Sequence, residues 1–195
     1  MVRRFDPERG VPLEVVRDLV VLATRALSAG FSQGWDFVAL VADEARRTFW
    51  EAAADPQPGP GDTTWLRGVS AAPVLLVCLA DPTAYVERYA APDKGWTDRS
   101  LDHWPVAYWD TDVAMAALLV LLGAVDIGLG ALFFGVPAGC HDAVKDALGI
   151  PPDRRIVGVI ALGHEAERVS GSAAVRRRRV LDEVLHLDRF GVPAP

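Results

Sequence analysis

The feature that most constrains the fold is an apolar stretch from Val113 to Val136, which is long enough to cross a membrane. One carboxylate, Asp126, and several glycines interrupt it, and a carboxylate in the middle of a bilayer is costly. Its last part, Ala131-Leu-Phe-Phe, changes to a β-like composition. The stretch therefore predicts a buried helix followed by a buried strand, and not a membrane span.

The remaining pattern places helices and strands in alternation along a single domain, residues 1–195. Apolar residues recur at three-and-four spacing in the helices, whereas the strands are short apolar runs, one of them with the composition of a strand covered on both faces. Predicted helices cover 13–29, 43–54, 82–90, 112–127 (capped by Asp110 or Thr111) and 138–148, and predicted strands cover 36–41, 72–80 and 156–162. The Pro- and Gly-rich residues 55–62 predict a surface loop. Interleaved elements of this kind predict a mixed α/β class.

Charge and cysteine content exclude several classes of protein. The formal net charge of −6 argues against a surface for nucleic acid, whose affinity comes from neutralised phosphates. The two cysteines, Cys78 and Cys140, lie far apart in apolar or small-residue surroundings, which argues against a disulfide framework and fits a reducing compartment. The first residues, MVRRFDPERG, lack the apolar core of a signal peptide. We therefore expect a soluble cytoplasmic protein with no nucleic-acid or membrane partner.

Local motifs for phosphate loops, metals and nucleophiles are weak or missing. Gly128, Gly130 and Gly135 give G-x-G-x-x-x-x-G, in which Phe133 stands where the dinucleotide fingerprint has its third glycine. The four histidines are not spaced with Cys, Asp or Glu as a closed metal-ligand set. No Ser elbow of the G-x-S-x-G type occurs. The residues alone therefore point to no metal and to no protein nucleophile.

Two arginine clusters stand near the two ends of the chain. One is the run Arg176–Arg179, and the other is Arg3 with Arg4. A charge run is usually a solvated face, but guanidinium groups also suit bidentate contacts to phosphate. The sequence leaves open whether the clusters are solvated or converge on one anion.

The stretch from Ala26 to Trp35 also has two interpretations. Small residues with Ser28, Ser32 and Gln33 offer hydrogen-bonding groups and a close approach of backbone to a ligand. The same stretch is equally typical of a capped helix end followed by a core tryptophan. The aromatic residues from Trp96 to Trp109 likewise suit either a lid over a ligand or ordinary packing.

Three stretches carry a resemblance to a known family. The first is Val2-Arg-Arg-Phe-Asp-Pro-Glu followed by Val11-Pro, and the second is Ala26-Leu-Ser-Ala-Gly-Phe-Ser-Gln-Gly-Trp-Asp-Phe37. The third is the ordered set Tyr108-Trp-Asp-Thr-Asp, Phe133-Phe-Gly135, Leu148-Gly-Ile-Pro-Pro-Asp and Ile160-Ala-Leu-Gly-His164. Together they are similar to the FMN-dependent nitroreductases of the actinobacterial type, whose signature A-P-S-x-x-N-x-Q-P-W-x-F the second stretch resembles.

This resemblance implies a nitroreductase-like α+β fold, a central mixed sheet flanked by helices, in a homodimer with FMN in clefts between the subunits. It implies that Arg3 and Arg4, with Arg177 or Arg178, hold the flavin phosphate. The signature loop would come from the partner subunit and bring Leu27, Ser28, Ala29 and Gln33 near the flavin. Phe133, Phe134 and Gly135 would lie along its ring and offer a backbone N–H. The implied activity is hydride transfer from NAD(P)H through the flavin to a small nitro-aromatic, quinone or related acceptor, with no obligatory protein acid or base.

Departures from the family pattern leave an alternative. Leu27 and Gly34 replace family prolines, and Phe31 replaces the asparagine that would hydrogen-bond to flavin. The family's Arg-Arg-Ser does not precede Val2, so either the start differs or the phosphate site is weakened. The alternative is a non-catalytic flavin- or ligand-binding module on the same fold. A related reductive enzyme acting on a halogenated or deazaflavin-type substrate is a third possibility.

Overall fold

A computed structural model describes residues 2–54, 62–166 and 177–192. Its helices and strands are interleaved along the chain, and short 3-10 turns lie between some of them. The helices are α1 (Leu13–Ala23), α2 (Asp43–Ala52), α3 (Asp62–Ser70), α4 (Pro82–Ala90), α5 (Tyr108–Asp126) and α6 (His141–Leu148). The strands are β1 (Trp35–Leu40), β2 (Val74–Ala80), β3 (Gly130–Phe134) and β4 (Arg155–Gly163).

The four strands form one sheet in the order β1-β2-β4-β3. Phe37 lies opposite Cys78, Val77 opposite Val159, and Leu132 opposite Ala161. Every pairing among the described strands is antiparallel, so the mixed sheet that the resemblance implied is wrong. The continuous apolar runs of β2 and β4 suit a strand covered on both faces, and that covering does not require parallel neighbours. The mixed α and β architecture, a central sheet flanked by helices, is confirmed.

Helices cover the sheet on both faces, so that alternate residues of one strand enter two cores. On one face Leu76 and Cys78 pack with Val113 and Val120 of α5, and α1 adds Val16. On the other face lies a second core formed by β2, α2 and α6, whose members include Leu75, Val77, Phe49 and Val144. All seven residues of β2 are buried, which confirms the predicted central strand.

Helix α5 is longer and less buried than predicted. It begins at Tyr108, and Ala107 occupies its N-cap without a side-chain cap, so the predicted caps Asp110 and Thr111 are wrong. Both residues lie inside the first turn, where Asp110 pairs with Arg155 instead. By length and composition alone α5 would pass as a membrane span, but seven of its nineteen residues are buried against the fold. The predicted order of a helix followed by a strand is confirmed.

Two further differences from the sequence prediction concern helices α1 and α3. Helix α1 ends at Ala23 and not at Ala29, because the next residues turn away and are held by contacts described below. Helix α3 was not predicted, and its face includes the fully buried Val69. A helix this short, with Gly68 inside it, has a weak periodic signal.

Candidate functional site

The N-terminal segment places Arg3 and Arg4 beside the edge strand β3. The Val2 N–H donates to the Ala131 carbonyl over 3.2 Å, and the Phe5 N–H donates to the carbonyl of Gly68 over 3.2 Å. On the far side, the Ala166 N–H donates to the Arg4 carbonyl over 3.0 Å. The backbone of both arginines is therefore fixed between α3, the start of β3 and the residues after β4. Among the described residues, neither guanidinium forms an ion pair.

The opposite end of β3 carries the other predicted ring contacts. Phe133, 37% exposed, lies over the backbone of Gly158, where any side chain would collide with its ring. Phe134 points to the other face of the sheet and stacks on Trp50 with 5.4 Å between ring centroids. Its ring is therefore part of a core cluster, and only its backbone is available to a ligand.

Gly135 follows the last paired residue of β3 and is exposed. A Cβ added there would meet nothing within 4 Å. Within the described part of the chain, the N–H groups of Gly135 and Val136 donate no hydrogen bond. These two amides, at the exposed Gly135 and the half-buried Val136, are free to donate to a ligand.

The two arginines and Gly135 lie at opposite ends of the same strand. Five residues in β3 at the usual rise per residue separate them by roughly 13–17 Å. One ligand that contacts both ends must therefore be elongated, with an anionic group at one end and an apolar or hydrogen-bonding group at the other.

Residues 27–33 form a strained turn with an apolar tip. Leu27 is 80% exposed and Phe31 is 75% exposed. Gly30, Phe31 and Gln33 all have positive φ, at +63°, +60° and +51°. For Phe31 and Gln33, which carry a Cβ, this conformation costs about 1–3 kcal/mol each and persists only when the surroundings impose it. We call residues 27–33 the signature loop.

A buried carboxylate holds the start of the signature loop. Asp112 of α5 is 2% exposed, and its Oδ2 accepts hydrogen bonds from the Ala29 N–H and the Tyr85 O–H, each over 2.8 Å. Inside the loop, the Ser28 Oγ accepts a hydrogen bond from the Gln33 N–H over 3.0 Å. Sequence reasoning missed Asp112 and Tyr85. The available signal was an aspartate on the face of α5 that also carries Val113 and Ala116, because a buried acid needs partners.

An exposed ion pair holds the middle of the loop. The Arg88 Nε donates to the Gly30 carbonyl over 2.9 Å, while its terminal nitrogens bind both carboxylate oxygens of Asp93 at 2.8 and 2.7 Å. The hydrogen bond from Arg88 holds the pKa of Asp93 below its ordinary value. Around Tyr85, burial and the hydrogen bond to Asp112 raise the pKa of the phenol well above its ordinary value. The phenol is therefore a hydrogen-bond donor at any physiological pH.

The aromatic stretch packs against the outer side of the signature loop. A Cβ on Gly30 would lie 2.6 Å from the Tyr89 ring, so only glycine fits there. Tyr89 in turn contacts Trp96 and Trp104, with ring centroids 4.8 and 4.5 Å away. Next to them, Trp96 lies 4.6 Å from the ring of His103. The stretch is thus a packed aromatic cluster continuous with the loop.

The C-terminal arginines have contacts within their own segment. Arg177 pairs with Glu183 over 2.5 Å, and Arg179 also contacts Glu183. Arg178 is exposed, and Arg176 lies outside the described residues. The contacts of the described residues do not bring Arg177 or Arg178 to Arg3, so their convergence on one phosphate stays a prediction.

One face of α5 is apolar and uncovered. The exposed residues recur every three or four positions and thus form one stripe along the helix. They are Met115, Leu118, Leu122 and Val125, between 42% and 65% exposed. Val21 and Leu22 of the neighbouring helix α1 extend the surface, at 57% and 38% exposed. Surfaces of this kind are typical of protein–protein contacts.

Comparison with known families decides the classification. The model of the Nitroreductase family matches residues 1–164, most of the chain. The chain belongs to the nitroreductase family. Membership makes it an oxidoreductase and confirms the resemblance seen in the sequence. The match includes every predicted cofactor residue from Arg3 to Gly135, but it ends before Arg177 and Arg178.

Individual relatives agree with this nitroreductase assignment. A protein of Archaeoglobus fulgidus with the provisional name NADH dehydrogenase/NAD(P)H nitroreductase is 26% identical over 163 residues, 83% of this chain and 78% of the relative. The solved nitroreductase family protein of Streptococcus pneumoniae has a TM-score of 0.69 at 20% identity, over 95% of this chain and 94% of that one. The B. megaterium protein NfrA1 has a TM-score of 0.73 at 19% identity, over 97% of this chain and 70% of that one. At such identities the two structures show a shared fold.

Proposed function

We propose that this nitroreductase family member is an FMN-dependent enzyme that transfers hydride from NAD(P)H to a small nitro-aromatic, quinone or related acceptor. The observation that carries the proposal is the family match over residues 1–164, which contains the arginines, the signature loop and the end of β3. The buried, unpaired cysteines fit the reducing cytoplasm as its location.

The residues present fit FMN. Arg3 and Arg4 stand at one end of β3 without an internal ion pair among the described residues, which suits a phosphate dianion. Unpaired amides at Gly135 and Val136 and the half-exposed ring of Phe133 stand at the other end, which suits a flat heterocycle with hydrogen-bonding atoms. Bound FMN supplies the hydride chemistry, and the protein supplies binding and orientation.

Each predicted residue then has a role in binding. Arg3 and Arg4, joined by Arg177 and Arg178, bind the phosphate. The Gly135 N–H donates to the flavin ring, and Phe133 and the Phe134 backbone line it. From the partner subunit, the exposed Leu27 with Ser28, Ala29 and Gln33 of the signature loop closes the cleft and excludes water.

A second copy of the chain is the proposed occupant of the uncovered face of α5 and α1. The stripe contains no charged residue, so a like surface related by two-fold symmetry complements it. The signature loop follows α1 after the short turn 24–26 and exposes Leu27 and Phe31, which gives the same partner a further apolar contact. Homodimer formation would therefore bring the loop of one subunit towards β3 of the other.

One observation favours the alternative of a binding module without turnover. Phe31, which replaces the family asparagine, presents an apolar, 75% exposed side chain where the family has a hydrogen-bonding group for flavin. Both functions predict bound FMN. Only the proposal of an enzyme predicts that NAD(P)H is oxidised in the presence of menadione or a nitrofuran.

The experiment is an FMN titration followed by steady-state turnover, with variants at Gly135. Gly135→Pro removes the amide donor and should weaken FMN binding by about tenfold, the usual effect of one hydrogen bond to a polar ligand. Gly135→Ala is the matched control, because its Cβ would meet nothing and its amide remains. A purified protein that shows no flavin absorption, and no spectral change when FMN is added, contradicts the proposal. Bound FMN without NAD(P)H oxidation supports the binding module.

A further inference from the structure

The signature loop is held from the inside by two buried side chains that the family match does not explain. Within the described part of the chain, Asp112 is the one charged residue that is buried, and the two hydrogen bonds that its Oδ2 accepts both come from residues far away in sequence. Its partners are Ala29, at the start of the loop, and Tyr85, on α4. One carboxylate oxygen thus joins α5, α4 and the loop.

Tyr85 reaches the other end of the same loop. Its ring is fully buried, and a Cβ on Gly34 would lie 2.5 Å from the ring. Asp112 and Tyr85 therefore contact the residues on both sides of the positive-φ segment, at Ala29 and at Gly34.

We propose that Asp112 and Tyr85 are positioning residues, which fix the signature loop in the strained conformation that receives the flavin of the partner subunit. The role in flavin binding rests on the proposed function. The strain at Phe31 and Gln33 has to be offset by contacts at its two ends, and these are the buried ones. The Arg88–Asp93 pair holds only the Gly30 carbonyl and is solvent-exposed, so it contributes less.

Loss of the Asp112 carboxylate has a defined consequence. It leaves the half-buried Ala29 N–H and the buried Tyr85 O–H without this acceptor, and donors that lose their partner away from water are costly. The loop then relaxes toward ordinary backbone conformations. Asp112→Asn retains one neutral side-chain oxygen, which in the position of Oδ2 accepts both hydrogen bonds but more weakly than a carboxylate. Tyr85→Phe removes only the hydrogen bond from the phenol and leaves the one from the Ala29 N–H.

The test measures amide hydrogen exchange of residues 29–34 in the flavin-free protein and then the FMN dissociation constant. Asp112→Ala should speed exchange and raise the dissociation constant, each by about tenfold or more, with Asp112→Asn and Tyr85→Phe in between. Asp110→Asn is the matched control, since it breaks an exposed pair in the same helical turn without touching the loop. Circular dichroism selects variants that remain folded.

The outcomes separate this inference from the proposed function. Faster exchange together with weaker FMN binding, partly rescued in Asp112→Asn, supports the positioning role. Unchanged exchange overturns it, and so does faster exchange with an unchanged FMN dissociation constant. If the wild-type protein binds no FMN, the proposed function fails, and the exchange series still shows whether Asp112 holds the loop.

Discussion

Glycine at position 158 gives the Phe133 ring its place on the sheet. The two residues belong to neighbouring strands, and the register of β4 against β2 shifts next to Gly158, between Cys78 and Leu79. Because the ring lies directly over the Gly158 backbone, any larger residue must displace it. The sequence indicated Phe133 as a flavin contact, but a single glycine in an apolar run gives no sign that an aromatic ring covers it.

Gly158→Ala should therefore lower the free energy of unfolding by about 1–3 kcal/mol, the usual cost of overpacking a core position. The measurement is chemical denaturation. Gly139→Ala is the control, since its Cβ would meet nothing. A double variant that also carries Phe133→Ala should show little additional cost from Gly158→Ala. Equal stability of Gly158→Ala and wild type would show that the ring lies elsewhere.

The two thiols should be unreactive in the folded protein. Cys78 and Cys140 are free and buried, and burial raises the pKa of Cys78 to about 12. The folded value exceeds the ordinary 9.0, so this contribution to stability is complete below pH 9 and is lost as pH rises through about 12. Titration with a thiol reagent at neutral pH should find no fast-reacting thiol, and two after denaturation. A fast-reacting Cys78 would contradict its burial.

The elements differ in how well the sequence predicts them. Helix α4 starts and ends as predicted, because Asp81 caps it and Pro82 suits its first turn. The sequence prediction extended helix α1 too far, because the apolar spacing continues beyond the end of the helix. The residues that follow form a turn that is held by hydrogen bonds from its backbone to Asp112 and Arg88. Long-range contacts of this kind, 83 and 58 residues apart, leave no local pattern in the sequence.

The exposed contact of the signature loop should depend on pH through Asp93. Arg88 lowers the pKa of Asp93 below its ordinary value of 3.8. The stabilisation of the folded protein by this ion pair is therefore complete above pH 3.8 and is lost as the pH falls through the lowered pKa of the folded state. Asp93→Asn should therefore lower the melting temperature near neutral pH and have no effect in strong acid. Thermal unfolding of both proteins across this pH range checks the sign. A difference that grows in acid would contradict the pairing.

At the scale of the whole molecule, the residue pattern predicted the fold but not the site. The alternation of helices and apolar runs was enough for the α and β architecture, because burial patterns are local. The cofactor site was predicted only from sequence motifs that resemble those of the nitroreductase family. Arg3 and Gly135 lie near opposite ends of β3, and their separation in the sequence does not indicate this. The apolar face of α5 that we propose as the dimer contact has the composition of a buried helix. The sequence pattern of an apolar helix face is the same whether that face packs against the chain's own core or against another subunit.

The dimer proposal predicts a change of mass in solution. Leu122→Glu places a charge in the centre of the apolar stripe and should convert a particle of twice the chain mass into a monomer, because an unpaired charge in an apolar contact is costly. Leu66→Glu is the matched control, an exposed leucine of α3 on the opposite side of the sheet. Light scattering after gel filtration measures both. A wild type of single-chain mass would contradict the proposal.

The central claim is that FMN binds in a groove that exists only between two chains. Sedimentation velocity with detection at the flavin absorption band tests it most directly, on the wild type and on Leu122→Glu. The account predicts one FMN per chain sedimenting with the wild-type dimer and no flavin with the monomeric variant. Flavin that sediments equally with the monomer, or a dimer that carries none, would contradict it.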